Sequence, residues 1–270
     1  MKVLKDGHVH SPYCPHGTKD TFEQYIEKAI TLKYDEISFT EHAPLPSTFK
    51  DPVPSQDSAI SINDLEHYIT KIKKLKKIYA QDIKINVGLE VDYIEGYEEE
   101  TATFLNDWGT ELDDSILSTH FILCPNNEYI CLDYSPKSME QLLKEYSSLE
   151  RVYEKYYATL HKSIKADLGF FKPRRIGHMT LIRKFQKRFP RNFDDNILIE
   201  STLLLIKKHE YSLDINGAGL TKPLCQEMYP PIPWVERAAQ LNIPLVYGSD
   251  AHSAKQLGQG IEQLQRHLLF

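Results

Sequence analysis

Two rhythms alternate along this chain. Short apolar runs of strand length occur at Val3–His8, Glu36–Thr40, Ile83–Leu89, Ser115–His120, Arg175–His178, Ser212–Asn216 and Pro244–Ser249. Between them, apolar residues recur at steps of three and four. Thr21–Lys33 puts Phe22, Tyr25, Ile26, Ala29 and Ile30 on one helical face, and Asn63–Ala80 does the same with Leu65, Tyr68, Ile69, Ile72, Leu75 and Tyr79. Met139–Leu168 reads as one long helix, with shorter ones over Asn196–His209 and Trp234–Leu241. Strands alternating with helices predict parallel β/α architecture. Seven strand candidates predict a seven-stranded (β/α)7 barrel. Barrels commonly use about 250 residues as one unit, so residues 1–270 are expected to form a single domain. The stretch Ala43–Ser61, with Pro44, Pro46, Pro52 and Pro54, reads as a surface insertion rather than a linker, because the β/α pattern continues on both sides.

Composition narrows the partners. The formal net charge is −6. A mildly acidic chain is poorly suited to sequence-independent nucleic-acid binding, which needs clustered Lys and Arg. The opening MKVLKDGHVH has no apolar stretch of signal-peptide length. No apolar run reaches the ~18 residues of a transmembrane helix. We therefore expect a cytoplasmic protein bound neither to nucleic acid nor to membrane. Cys14, Cys124, Cys131 and Cys225 form no C-x-x-C pair and are expected to be reduced thiols.

The placement of polar residues says more. At or just past the C-terminal ends of the expected strands lie His8 and His10, His42, Glu90, His120, His178, Asn216, and Asp250 with His252. A β/α barrel builds its active site at that face. Side chains two apart on a strand point the same way, so His8 and His10 can reach one metal ion. His16 follows a turn marked by Pro12 and Pro15 and can swing toward a neighbouring ion. A lone strand-terminal histidine is ordinarily structural. Seven histidines and two carboxylates in one repeated layout fit a metal cluster instead.

The motifs carrying these residues resemble the polymerase-and-histidinol-phosphatase (PHP) superfamily. H-x-H, T-E-H, G-L-E, S-x-H, G-H and S-D-A-H occur in the family order across essentially the whole chain. YCPHG, TEHAPLP with its Pro-rich insertion, GLEVDYIEGYE and DINGAGL are most similar to the histidinol-phosphatase branch. The resemblance implies a distorted seven-stranded barrel, the PHP fold, holding two to three divalent ions of Zn, Fe or Mn. One ion would take His8, His10, Glu90 and Asp250. A second would share Glu90 and take His120 and His178. A third would take His16, His42 and His252. The implied activity is hydrolysis of L-histidinol phosphate to L-histidinol and phosphate, the phosphatase step of histidine biosynthesis.

Neighbouring divalent ions activate water, neutralise phosphoryl oxygens and align attack with departure. Glu90 is the natural bridge between two ions, and Asp250 or His252 could relay a proton. Phosphate also needs positive charge. Arg183 and Lys184 follow His178, and Lys222 follows DINGAGL. Arginine's bidentate geometry favours Arg183. Asn216 could bond substrate or a ligand, and Asp92 could orient a histidine or receive a substrate ammonium. Two other readings are open: a phosphoesterase acting on nucleotides, sugars or nucleic-acid ends, and a non-catalytic metal-bound interaction domain. The substrate expected is a small phosphate monoester. The oligomeric state is not encoded in any pattern seen here.

Overall fold

The computed structural model describes residues 4–268 in backbone and 4–264 in side chain, so the Val3 end of the first expected strand lies outside the described residues. Seven parallel strands form one sheet in the order β1 (Lys5–Val9), β2 (Glu36–His42), β3 (Lys84–Asp92), β4 (Asp114–Ser118), β7 (Arg175–Ile176), β8 (Ser212–Asn216) and β9 (Leu245–Gly248). The chain after β9 returns to β1 by a parallel bridge between Val9 and Ala251, and Asp250 N donates to His8 O at 2.7 Å. The sheet thus curls into a nearly closed barrel with its seven C-terminal strand ends on one rim.

Helices α1 (Phe22–Thr31), α2 (Ile62–Ile78), α3 (Glu98–Trp108), α4 (Pro136–Tyr146), α5 (Leu149–Lys165), α6 (Asn196–Lys208) and α7 (Ile232–Gln240) fill the crossovers, and α8 (Ile261–Leu268) follows the last strand. Local chemistry sets their starts. Thr21 accepts from Gln24 N while the Gln24 side chain returns to Thr21 N, a reciprocal cap that closes two orphan donors of α1. Ser61 caps α2 through Asp64 N. The apolar faces predicted for α1 and α2 pack inward: Tyr25, Ile26, Leu65, Tyr68 and Ile72 are buried with strand residues Phe39 and Val87. No helix among the described residues is long and apolar enough to cross a membrane.

Four features depart from the sequence pattern. Met139–Leu168 is two helices, not one. Ser147 takes a left-handed backbone (φ 66) that ends α4, and Ser148 caps α5 through Arg151 N. The apolar period runs across this break, so periodicity conceals it. Helix α3, which had no strong apolar stripe, was not expected, nor was α8. The strand expected over Ser115–His120 stops at Ser118, and a hairpin of β5 (Phe121–Leu123) and β6 (Tyr129–Cys131) follows outside the barrel. Strand β7 is only two residues. It is followed by Gly177, where a Cβ would lie 2.2 Å from Ser118 Oγ, so only glycine lets β7 approach β4.

The hairpin has a use. Phe49, from the Pro-rich insertion, packs edge-on against Phe121 and Tyr129 at 5.0 Å and Tyr97 at 5.1 Å between ring centroids. This satellite core ties the insertion to the rim. At the opposite end, Arg175 donates to Gly7 O and pairs with Asp114, which also takes Lys5 and Ser38. That polar plug leaves the C-terminal rim as the open face.

Candidate active site

Parallel register brings the ligand candidates together. Pairing of β2 with β3 sets His42 opposite Glu90. The β1–β9 closure sets His8 and His10 beside Asp250. The resulting cluster forms the floor of a cavity of about 530 Å³, walled by Val53, Asp57 and Ser58 of the insertion, Phe121, Asp133 and Tyr134 of the hairpin region, and Lys184, Lys222 and Tyr229.

Glu90 stands at the centre and is 1% exposed. Its Oε1 is 2.8 Å from His178 Nε2 and 3.8 Å from His120 Nε2. Its Oε2 faces the other way, 3.3 Å from His8 Nε2, 3.6 Å from His10 Nε2 and 3.1 Å from His42 Nδ1. Ser118 Oγ donates to Oε1 at 2.6 Å and fixes the plane of the carboxylate. Asp250 Oδ1 lies 3.1 Å from His10 Nε2 and 3.8 Å from His8 Nε2. Asp250 itself holds a left-handed backbone (φ 52), a conformation tolerated by Asp and kept here by its bond to β1. On the far side His16 Nε2 and His252 Nε2 are 3.2 Å apart, with His42 beside both.

Most of these rings are aimed by an oxygen on the opposite nitrogen. The Nδ1 atoms of His8, His10 and His120 meet the carboxylates of Asp214 (2.9 Å), Glu41 (3.1 Å) and Asp92 (2.7 Å). Those of His16 and His252 meet the carbonyls of Asp57 (2.8 Å) and Asp250 (3.1 Å). An acceptor at Nδ1 fixes the proton there and leaves the Nε2 lone pair pointing inward, the usual support for a metal-bound imidazole.

Electrostatics separate the rings into two kinds. Burial disfavours charge on His8 and His10, but the surrounding carboxylates outweigh it: Glu90, Asp214 and Asp250 raise His8 well above the ordinary histidine range, and Asp250 and Glu41 raise His10 to about 9. Asp92 and Glu90 likewise lift His120 to about 10 against burial. Burial and the positive His10 hold His42 and His252 well below the usual range. Glu90 and Asp250 are kept ionised by these imidazoles despite burial. The cluster is therefore a pool of carboxylate charge that calls for cations at its centre.

Several ring nitrogens confirm that need. His8 Nε2, His178 Nδ1 and both nitrogens of His42 are buried without a hydrogen-bond partner among the described residues. His42 Nδ1 is near Glu90 but outside hydrogen-bond geometry. Leaving buried polar atoms unpaired costs about 1–3 kcal/mol each. Four compact donor groups among the described residues, His8/His10/Glu90, Glu90/His120/His178, His42/Asp92/His120 and His10/Cys14/His42/His252, could each hold an ion, and the donor types suit first-row divalent metals.

The PHP domain profile matches residues 6–218. The chain belongs to the PHP domain family. A histidinol-phosphatase of Bacillus subtilis is 45% identical over 260 residues, 96% of this chain and 97% of that one. A candidate histidinol phosphatase structure from Listeria monocytogenes superposes with a TM-score of 0.91 at 41% identity, covering 96% of this chain and 99% of the other. The histidinol phosphate phosphatase of Lactococcus lactis, solved with Zn, L-histidinol and phosphate, shares the fold: TM-score 0.69, 18% identity, 98% of this chain and 94% of that one.

Within this PHP domain, the residues expected to meet substrate fare differently. Arg183 does not face the cavity. It is buried, with Nε and Nη2 on Asp195 (3.0 and 2.6 Å) and Nη1 on Glu227 (3.2 Å). Its neighbour Lys184 lines the cavity instead, with Nζ 2.8 Å from Asp133 Oδ2. Residues 181–185 form a tight 3-10 turn, in which adjacent side chains diverge by about a third of a turn. Lys222 lies on the cavity wall. Asn216 does not line it; its Nδ2 donates to Asp214 (3.2 Å) and Asp250 (3.1 Å), so it orients a carboxylate rather than meeting substrate. Asp92 is held by His120 through both the ring and the backbone N–H, and one edge of it remains on the cavity wall.

Sequence reasoning assigned no role to Glu41, Asp214 or Asp133. Glu41 was visible in the T-E-H motif, and Asp214 lies two residues before Asn216 on β8. The signal that could have found Asp214 is a carboxylate at an inward-facing position of an otherwise apolar strand.

Proposed function

We propose that this chain is a histidinol-phosphatase, a phosphoric monoester hydrolase that converts L-histidinol phosphate to L-histidinol and inorganic phosphate. The observation that carries this reading is Glu90, whose two oxygens face two separate groups of imidazoles on the floor of a cavity. The near full-length identity to the Bacillus subtilis histidinol-phosphatase supports the substrate.

We assign His8, His10, Glu90 and Asp250 to one ion, Glu90, His120 and His178 to a second, and His16, His42 and His252 to a third. Zinc is the favoured ion, with iron and manganese also suited to the donors. Such ions, when bound, neutralise phosphoryl oxygens and make water acidic enough to act as a nucleophile.

The chain's own groups supply the rest. Lys184 and Lys222 offer positive charge to the phosphate from the cavity wall. Asp250 can take a proton from the attacking water and return it to the leaving alkoxide, with His252 Nδ1 3.6 Å from its Oδ1. Asp133, Asp57 and Asp92 give the wall acidic groups suited to a cationic substrate. Histidine biosynthesis in the cytoplasm follows as the setting of that reaction.

A phosphate-release screen tests the reading. It would cover L-histidinol phosphate, mononucleotides and sugar phosphates, with metal content measured on the same sample. Histidinol phosphate should lead. A metal-loaded protein that hydrolyses none of these esters would sink it.

A further inference from the structure

Cys14 has no task in the reaction just described. It lies in the turn between His10 and His16, and its side chain is fully buried. Its sulfur and one ring nitrogen each of His10, His42 and His252 all lie within 4.8 Å of one another. His16, Gly17 and the carboxyl of Glu41 lie about the sulfur. His42 supplies a second, independent observation: it is 7% exposed, and neither of its ring nitrogens has a partner. With His10 committed to the first ion, the thiol stands beside His42 and His252, two of the three imidazoles assigned to the third ion, and would complete a four-donor set with them and His16.

We propose that Cys14 Sγ is a ligand of the ion on the His42–His252 side of the cluster. This rests on the metal-cluster reading above and goes beyond it, because it adds a sulfur donor to a set otherwise made of nitrogen and oxygen. As the S–metal bond forms, the S–H bond breaks, and its proton passes to Glu41 or to water. No electron changes hands. A thiolate there selects Zn, Co or Fe(II) over Mg or Mn, since soft sulfur favours the later first-row ions. It also explains why a thiol is buried against imidazoles in place of an aliphatic side chain.

Cobalt substitution gives a readout independent of turnover. The purified chain would be stripped of metal, loaded with Co(II) to its native metal count, and scanned for the sulfur-to-cobalt charge-transfer band in the near ultraviolet. The band is expected in the native chain, expected to persist in Cys131→Ser (the thiol on the cavity wall), and expected to vanish in Cys14→Ser and Cys14→Ala. Those two variants should also lose about one ion per chain on dialysis. A full complement of cobalt with no band, or a band that survives Cys14→Ser, overturns the sulfur ligand and leaves the cluster standing. Failure to bind cobalt or zinc at all overturns both. If the Cys14 variants do not fold, zinc X-ray absorption on the native and Cys131→Ser chains decides the point. A sulfur scatterer near ~2.3 Å in both supports the proposal, and nitrogen and oxygen alone near ~2.0–2.1 Å overturn it.

Discussion

Asp214 Oδ2 lies 2.9 Å from His8 Nδ1, joining the eighth strand to the first through the interior of the barrel. Both side chains are fully buried. The carboxylate fixes the imidazole's proton on Nδ1 and turns Nε2 toward Glu90 and Asp250. Asn216 Nδ2 links the same Asp214 oxygen to Asp250, so one buried polar chain aims two ligand candidates.

Replacing Asp214 with Ala should therefore weaken metal binding by about 10–100-fold without removing a ligand. Asp214→Asn, which keeps an acceptor, should fall between. Competition titration of zinc against a chelator reads this directly. Wild-type affinity in the alanine variant would mean that the bond is structural only.

Glu90→Gln should remove most turnover and loosen two ions together, because its two oxygens serve two groups of imidazoles. Metal analysis after dialysis separates this from a simple loss of acidity: two ions should leave, not one. Near-native turnover with full metal content would show that Glu90 is not shared.

Lys184 and Arg183 are adjacent yet should fail in opposite ways. Lys184→Ala should raise the inhibition constant of inorganic phosphate by the equivalent of about 1.5–3 kcal/mol, the worth of a charge-assisted bond. Arg183→Ala should leave that constant nearly unchanged but destabilise the fold by up to about 3–5 kcal/mol, because the buried Asp195 keeps only the longer contact to Arg191 at 3.6 Å. Phosphate inhibition and urea unfolding of both variants make the comparison. The reverse pattern would return the phosphate role to Arg183.

Substrate choice is best read as a ratio of kcat/KM values, since discrimination is differential transition-state binding. L-histidinol phosphate should exceed a simple alkyl or aryl phosphate by about 10²-fold or more, because esters without the ammonium and imidazole leave wall groups unpaired. A mononucleotide or sugar phosphate that did better would overturn the substrate assignment and leave the metal cluster intact.

The barrel and its ligand rim were legible along the chain because both depend on local rules. Strand and helix periods are set by backbone geometry, and a parallel barrel gathers the residues at its strand ends on one rim whatever the details of packing. His8, His42, Glu90, His120, His178 and Asp250 all follow apolar runs, so their convergence could be expected before any coordinates. The resemblance of YCPHG, TEHAPLP and GLEVDYIEGYE to a family then named the chemistry.

Tertiary structure decided what depends on distance and direction. Asp214 meets His8 across 206 residues, and His16 meets the carbonyl of Asp57 in the insertion that Phe49 packs beside the hairpin. Whether Arg183 or Lys184 faces the cavity turns on the orientation of a single 3-10 turn, a difference of one residue that no spacing rule resolves. The break at Ser147 lies beneath an uninterrupted apolar period, since left-handed backbone at a serine leaves no mark in hydropathy. Sequence determined which elements form and which end of them carries the ligands. The fold decided which polar group faces which, because those contacts join segments far apart in the chain and are fixed only once the core has packed.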